Sequence, residues 1–484
     1  MKNPSRNILY TLIAILFTGC SVGPDYKRPP VDTPTAYKEA QGWKIAEPQD
    51  DAPRGNWWGI YGDPELNVLI SQVEVSNQNV LVAKEQYYLA QGILDQARAG
   101  YFPILSAGPS STRGQGTISS SPVAPGAAIV SPGAPIRTTD RMSFTASWEA
   151  DIWGQIGRNV EANDAAVVAS AADLQAALLS YQSTLVQSYM QLRINDAQRQ
   201  LLDQTIVVYK RSLQITQDRY EAGVAARLDV AQADTQLKSA QAQALDLGIQ
   251  RAQLEHAIAV LVGKAPADFE LKPIDAIPNV PQIPVGLPSK LLERRPDIAG
   301  AERRMASANA LIGVAQSAFF PALTMSASGG YLNSSFSQLL TLPHRFWSIG
   351  PSLALTVFDG GARSAQKAQA IATYNKNVAT YRQTVLAAFQ QVEDNLIALR
   401  ILEEEGEAQQ AAARLAAEAW TLTDNQYKSG TVSYLNVVTA QATALSTAKS
   451  SLDITSRRLV ASAALLTALG GDWRTPESPS SAPH

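Results

Sequence analysis

RNVEANDAAVVASAADLQAALLSYQSTLVQSYMQLRINDAQRQLLDQTIVVYKRSLQITQDRYEA, residues 158–222, is the stretch on which the fold turns. It runs 65 residues without a proline or a glycine and stops at Gly223. Small and straight-chain residues fill it, and these lose little side-chain entropy in a helix. Leu174, Leu178, Tyr181, Leu185 and Leu192 form a seam, with Ser188 as its one weak rung; the spacing is about 3.5 residues. At ~1.5 Å per residue the helix would extend roughly 100 Å. A periodic run of this length suggests a coiled coil, a membrane span or a repeat. Aspartate, glutamine and arginine recur along it, which excludes a span. It reads as a long, water-facing rod of coiled-coil type.

The chain then repeats itself. Residues 362–429 hold no proline and only Gly406 as a break, and this second rod ends at Gly430. Tyr220-Glu221-Ala222-Gly223 with Leu228-Asp229-Val230 matches Tyr427-Lys428-Ser429-Gly430 with Leu435-Asn436-Val437, at a constant offset of 207. Upstream, Phe102-Pro103-Ile104-Leu105 matches Phe320-Pro321-Ala322-Leu323, and Trp153 with Arg158 matches Phe358 with Arg363. The protein is an internal duplication. Each copy has the order helix, short apolar strands, long helix, tip, return helix.

Composition narrows the function. Among 484 residues the net charge is −3 and the charged fraction 17%, so there is no basic footprint for nucleic acid. Apolar residues make up 45% but aromatics only 7%, which suits alanine-rich helices better than an enzyme core. One cysteine excludes intrachain disulfides and thiolate metal sites, and the three histidines (His256, His344, His484) lie far apart. No phosphate loop, nucleophile elbow or metal motif is present. No catalytic residue, metal ligand or cofactor is expected.

At the amino terminus, Lys2 and Arg6 precede an apolar run over residues 8–17, shaped like a secretory signal and too short to span a bilayer. It closes on Phe17-Thr18-Gly19-Cys20, similar to a bacterial lipoprotein signal. An ordinary secreted protein with a stray cysteine is the alternative; that Cys20 is the only cysteine and sits at this spot favours lipidation. Ser21 carries no retention signal for the inner membrane, so Cys20 points to the outer one. Acyl chains there would tether the protein without crossing a bilayer.

In the first copy, residues 66–100 read as one helix, with Leu69, Val73, Val80, Ala83 and Tyr87 on its repeating face. Residues 106–135 are rich in Ser, Pro, Gly and Ala and read as a flexible loop. Then Met142, Phe144, Ala146, Trp148, Ala150 and Ile152 alternate with Ser143, Thr145, Ser147, Glu149 and Asp151. One side suits lipid and the other a wet lumen, with Trp148 and Trp153 as boundary markers. In the second copy Leu323, Met325 and Ala327 alternate with Thr324, Ser326 and Ser328, and Ile349, Leu353, Leu355 and Val357 with Ser348, Ser352 and Thr356. With residues 104–110 counted, each chain carries four strands. Four strands cannot close a barrel and bilayers do not accept open edges, so a membrane sheet of this kind needs several chains.

Several strings carry a family resemblance. They are Val22-Gly23-Pro24-Asp25-Tyr26-Lys27-Arg28-Pro29 after the cysteine, Asn56-Trp57-Trp58 and Asp63-Pro64-Glu65-Leu66. The most specific is Leu291-Leu292-Glu293-Arg294-Arg295-Pro296-Asp297-Ile298, with Ala301-Glu302 and Ile312-Gly313-Val314-Ala315. Together they resemble the TolC-like outer membrane factors, in their lipoprotein branch serving RND-type efflux, over residues 20–473. Locally, Asp63 and Pro64 start a helix, and Pro296, Asp297 and Glu302 suit a first turn, so Arg294, Arg295 and Asp297 read as structural. The resemblance implies a mainly α fold with a small membrane β part. A homotrimer would form a long α-helical coiled-coil barrel and a twelve-stranded β-barrel in the outer membrane of a Gram-negative bacterium. The chain then divides into a signal peptide (1–19), a lipidated extended segment (20–62), a first repeat (63–263), a Pro-rich linker (264–290), a second repeat (291–473) and a disordered tail (474–484).

The tips are where partners are expected. By the resemblance, Tyr220, Gly223, Val224, Tyr427, Gly430 and Thr431 would meet a periplasmic adaptor (membrane fusion protein), which in turn engages an inner-membrane pump. Just beyond, Leu228, Asp229, Leu435, Asn436 and Thr439 are gate candidates. For Asp229 and Asn436 two readings stand open: N-caps, with Asp229 and Gln232 as a capping box, or a polar constriction around the trimer axis. Second repeats in the family often carry an acidic residue where Asn436 or Thr439 stands, which leaves Asp229 as the main charge. The implied function is a passive exit duct for small toxic compounds, drugs or metal ions. A duct for type I protein secretion and a periplasmic coiled-coil scaffold lipoprotein are the alternatives.

Overall fold

The computed structural model describes residues 22–30, 34, 36–39, 57–115, 136–274, 276–281, 283 and 295–471. The signal peptide, Cys20, Asn56, Arg294 and the tail lie outside these. The elements are α1 (Pro64–Ser76), α2 (Gln78–Ala99), β1 (Ile104–Gln115), β2 (Ile136–Ala150), α3 (Gln155–Glu221), α4 (Arg227–Leu261), α5 (Pro296–Ser317), β3 (Ala322–Asn333), β4 (Arg345–Ala354), α6 (Ala362–Lys428) and α7 (Tyr434–Ala468). The duplication is written in their lengths: α3 and α6 hold 67 residues each, α4 and α7 35, α2 and α5 22, and β1 and β3 12. Gly406 does not interrupt α6; it is buried in the helix, where an added Cβ would stand 3.6 Å from Ile454.

Several of the sequence expectations need correction. The region 66–100 is two helices, broken at Asn77, which has extended backbone angles and is 1% exposed. Its side-chain oxygen accepts from the Asn79 and Val80 amides at 2.9 and 3.1 Å, and its Nδ2 donates to the Leu261 carbonyl at 2.8 Å. One side chain thus caps the start of α2 and the end of α4. The expected loop 106–135 is strand as far as Gln115, in an unbroken antiparallel register from Ile104↔Ser147 to Gln115↔Ile136. β2 begins at Ile136, earlier than the alternation shows, and β4 ends at Ala354, before Leu355 and Val357.

Contacts divide the chain into two compact units. The first comprises Met1–Arg28, Leu89–Val167 and Arg303–Val378 and holds the sheet, ordered β1-β2-β3-β4. Pro109 and Pro351 stand on β1 and β4, the two edge strands, where a missing N–H is tolerated. The Val22-Gly23-Pro24-Asp25 string is strapped onto this unit. The Val22 amide bonds the Trp153 carbonyl at 3.1 Å, Asn309 Nδ2 bonds the Pro24 carbonyl at 2.8 Å, and buried Arg158 pairs with Asp25 at 2.9 Å. Gly23 (φ 112°) lies so close that its Cβ would come within 2.5 Å of Gly313 Cα. Replacing Gly313 by valine is therefore expected to lift the strap. Tryptic cleavage after Lys27 should rise ~10–100-fold, the equivalent of losing ~1.4–3 kcal/mol of local stability. An unchanged cleavage rate would show that the strap does not need this contact.

The second unit comprises Pro29–Tyr88, Val168–Glu302 and Ala379–His484. Its helices pack through Leu202 and Tyr209 of α3, Leu237, Ala240, Ala244 and Leu247 of α4, and Leu445 of α7. Asp63 caps α1 as expected, accepting from the Glu65 and Leu66 amides at 2.9 and 3.1 Å. Arg295 is structural too: it grips Asp297 with two bonds (3.0 and 2.6 Å) and donates to Gln391 and to the Ala468 carbonyl at the end of α7.

Candidate functional site

Two surfaces bear on function, the sheet faces and the helix tips. Pairing fixes the faces. Phe144 stands opposite Ala107 and Gly329, Ala146 opposite Leu105 and Ala327, Trp148 opposite Met325, and Ala150 opposite Leu323. Continuing to β4, Gly329 meets Trp347, Ala327 meets Ile349 and Leu323 meets Leu353. Residues paired directly across a sheet share a face, so these apolar positions of all four strands lie together. They are open to solvent in the single chain: Trp347 is 76% exposed, Ile349 72% and Leu105 77%. The other face carries Ser106, Ser143, Thr145, Ser147, Thr324, Ser326, Ser328, Ser348 and Ser352. Its hydroxyls bond one another and the backbone, as in Ser328 to Ser348 at 2.8 Å and Ser326 to the Gly350 carbonyl at 3.2 Å.

Such an apolar patch on a water-soluble monomer would be a liability, and in hydrocarbon it is favourable. Trp148 lies on the apolar face and donates to the Tyr101 carbonyl at 2.9 Å. Trp153 also has a structural role. It stacks on Phe320 with centroids 4.7 Å apart and donates to the Pro321 carbonyl, fastening one copy of the repeat to the other. No helix among the described residues is long and apolar enough to cross a membrane.

At the tips, α3 and α6 end in the same motif. Gly223 (φ 72°) and Gly430 (φ 80°) adopt left-handed angles. The Gly223 amide bonds the Tyr220 carbonyl at 2.9 Å and Val224 bonds Arg219 at 2.8 Å; Gly430 to Tyr427 and Thr431 to Gln426 repeat this at 2.9 Å each. These are Schellman closures, which satisfy the last carbonyls of each helix. Both glycines have open space around them, so only the backbone angle demands glycine.

The return helices correct the expected caps. The residues at the N-cap are Ala226 and Ser433, and Asp229 and Asn436 sit three places later. Asp229 Oδ2 accepts from the Ala226 amide at 3.3 Å, half of a capping box; Gln232 takes no part in it. Leu228 and Leu435 project outward, 65% and 55% exposed. Asn436 and Thr439 are exposed as well, and the Thr439 hydroxyl bonds the Leu435 carbonyl at 3.0 Å. Asp229→Ala removes a helix-terminal anion and one capping bond, each worth ~1 kcal/mol or less. The expected result is a trimer that still assembles and conducts more than the parent in planar bilayers. Equal conductance would take Asp229 out of the gate.

The two tips differ in what they bury. Tyr220, Val224, Gly223, Gly430 and Thr431 are exposed, but Tyr427, expected on the contact surface, is only 7% exposed. It packs edge-on against Tyr434 with centroids 5.1 Å apart, in a cluster with Ala233 and Val437. Burial pushes the Tyr427 and Tyr434 hydroxyls above their usual pKa. Arg219 seals this cluster. Its guanidinium lies 4.7 Å from the Tyr427 ring centroid and donates to the Tyr427 and Lys428 carbonyls at 3.2 and 3.4 Å, so the end of α3 caps the end of α6. Arg219 and Tyr434 escape a reading by sequence because their counterparts at the 207-residue offset are Gln426 and Arg227.

The profile of the family described as outer membrane efflux protein matches residues 69–264 and 287–471. The chain is 29% identical over 468 residues to the probable efflux pump outer membrane protein TtgC of Pseudomonas putida, covering 95% of this chain and 94% of that one. It is 27% identical over 467 residues to the cation efflux system protein CusC of Escherichia coli, covering 96% and 98%. Among solved structures, the outer-membrane channel OprN superposes with a TM-score of 0.85 at 28% identity, over 93% of this chain and 99% of that one.

Proposed function

The chain belongs to the outer membrane efflux protein family, and from that membership we propose that it is the exit duct of a tripartite efflux system. The observation that carries this is the sheet: one face apolar and exposed, the other lined by hydroxyls, with β1 and β4 left as edges within the chain. Only another copy of the same sheet can satisfy those edges inside a bilayer. Three copies give a barrel of twelve strands, with the hydroxyl face around a water-filled lumen.

The duct is passive and has no catalytic step of its own. An inner-membrane pump of RND type supplies the energy. A periplasmic adaptor docks on the exposed tip residues Tyr220, Gly223, Val224, Gly430 and Thr431, and Leu228, Asp229, Leu435, Asn436 and Thr439 narrow the entrance. Acyl chains on Cys20 anchor each subunit in outer-membrane lipid. Relatives named for pump-driven and cation efflux support small toxic compounds, drugs or metal ions as cargo.

The test is deletion in the native host combined with fractionation. A heat-modifiable trimer in the outer membrane, and a fall in drug or metal tolerance restored by the intact gene, are the expected results. A duct serving protein secretion would leave tolerance untouched and abolish export of a protein. A soluble periplasmic monomer would end the proposal.

A further inference from the structure

The hydroxyl face of the sheet carries Arg141, which no carboxylate pairs with among the described residues. Arg141 lies on β2, opposite Ser110 on β1 and Leu332 on β3, and shares its face with Ser143, Thr145, Ser147 and Glu149. Its guanidinium carbon stands 4.6 Å from the centroid of the Phe346 ring on β4. Phe346 is opposite Gly330, so the arginine reaches over β3 beside a residue with no side chain to obstruct it. Glycine is required there, since a Cβ at Gly330 would come within 2.0 Å of the Met142 carbonyl oxygen. The neighbouring acid, Asp140, belongs to the opposite face by the alternation of the strand and is 7% exposed. Glu149 is on the same face but eight positions along, roughly 26 Å away. That is about three Debye lengths at physiological salt. Arg141 is thus a fixed, unneutralised charge on a face rich in hydroxyls, held there by an aromatic ring.

We propose that Arg141, positioned by Phe346, is a specificity-determining residue that makes the outer part of the duct favour anionic solutes. This rests on the reading of the hydroxyl face as a lumen. Twelve strands about 4.8 Å apart, tilted by ~40°, close a ring on the order of 12 Å in radius. At ~0.15 M salt the Debye length is about 8 Å and three arginines influence only the layer near the wall; at ~0.01 M it is about 30 Å and their field fills the lumen. Glu149, at the end where β2 leads into α3, gives the opposite sign there. Selectivity therefore depends on which end faces the dilute compartment.

The experiment is the reversal potential of the full-length trimer, inserted in one orientation in a planar bilayer. The potassium chloride is ~10 mM on the side of the β1–β2 connection and ~100 mM on the other. Arg141→Gln is expected to move the reversal potential towards potassium, with a severalfold fall in the chloride-to-potassium permeability ratio. Arg141→Glu moves it further, and Phe346→Ala moves it part of the way because the guanidinium is no longer held. With the gradient reversed, the shifts shrink. Conducting Arg141→Gln and Arg141→Glu trimers whose reversal potentials coincide with the parent's would overturn the assignment. A parent protein that forms no channel would instead remove the duct on which it rests.

Discussion

Replacing Arg193 by methionine is expected to destabilise the helical body by ~3–5 kcal/mol, the usual cost of removing one partner from a buried ion pair. Arg193 is among the largest fully buried side chains, at 1% exposure. It donates to Glu65, to Asp196 at 3.2 Å and to the Lys272 carbonyl at 2.8 Å, and it lies 4.6 Å over the Tyr189 ring. Tyr189 in turn donates to Asp63 at 2.6 Å, so the side chain that caps α1 belongs to the same network. On the far side Asp196, with its side chain 4% exposed, accepts from Arg251 at 2.8 Å, and Arg251 pairs with Glu255 at 2.8 Å and donates to the Leu271 carbonyl. One arginine thus ties together α1, α3 and the segment after α4. Methionine fills much of the volume but leaves Asp196 short of a partner and the Lys272 carbonyl without its donor.

The measurement is amide hydrogen exchange along the centre of α3, together with the temperature at which the trimer dissociates. The double variant Arg193→Met, Asp196→Asn should lose less than the two single variants together, because they share one interaction. Exchange within ~1 kcal/mol of the parent would show that the network contributes nothing to stability.

Arg219→Ala is the second large expectation. It removes a cation–π contact of ~0.5–2 kcal/mol and two charge-assisted bonds to the last carbonyls of α6. Exchange at residues 425–431 should rise ~10–100-fold, since each 1.4 kcal/mol of lost protection is a factor of ten. Conductance should rise with it, because α3 no longer holds the end of α6. Arg219→Lys restores the charge but cannot stack as a plane or reach both carbonyls, so it should recover only part of the protection. A rise in exchange without any change in conductance would separate tip stability from gating.

Much of this architecture is legible in the amino-acid sequence. The long runs at 158–222, without proline or glycine, and at 362–429, with only Gly406, become helices ending within a residue of those limits at their C-terminal ends. The glycines that stop them carry the left-handed angles that their position requires. The alternation at 142–150, 323–328 and 348–353 becomes three strands of one sheet with the expected faces. β1 is less visible. Its Ser, Pro and Gly content has little preference for strand, and it is ordered by twelve paired positions on β2. The break at Asn77 is hidden too, because it depends on the Leu261 carbonyl, 184 positions away.

The amino-acid sequence alone determined the duplication, the lengths of the rods, the glycine turns and the two-sided strands. The duplication follows from strings that recur at an offset of 207, and the rest from local propensity or from periods of 2 and about 3.5 residues, which need no distant partner. The tertiary structure decided which faces are covered. The seam through Leu174, Leu178 and Tyr181 is only half-buried, whereas residues 192–198 are buried all round, polar side chains included. It decided that Tyr427 turns inward while its repeat Tyr220 faces solvent, and that Arg193 and Asp196 are core rather than surface. In each case the reason is the same. Burial depends on which other segments of the chain pack against a helix, and no pattern within the helix itself records its neighbours.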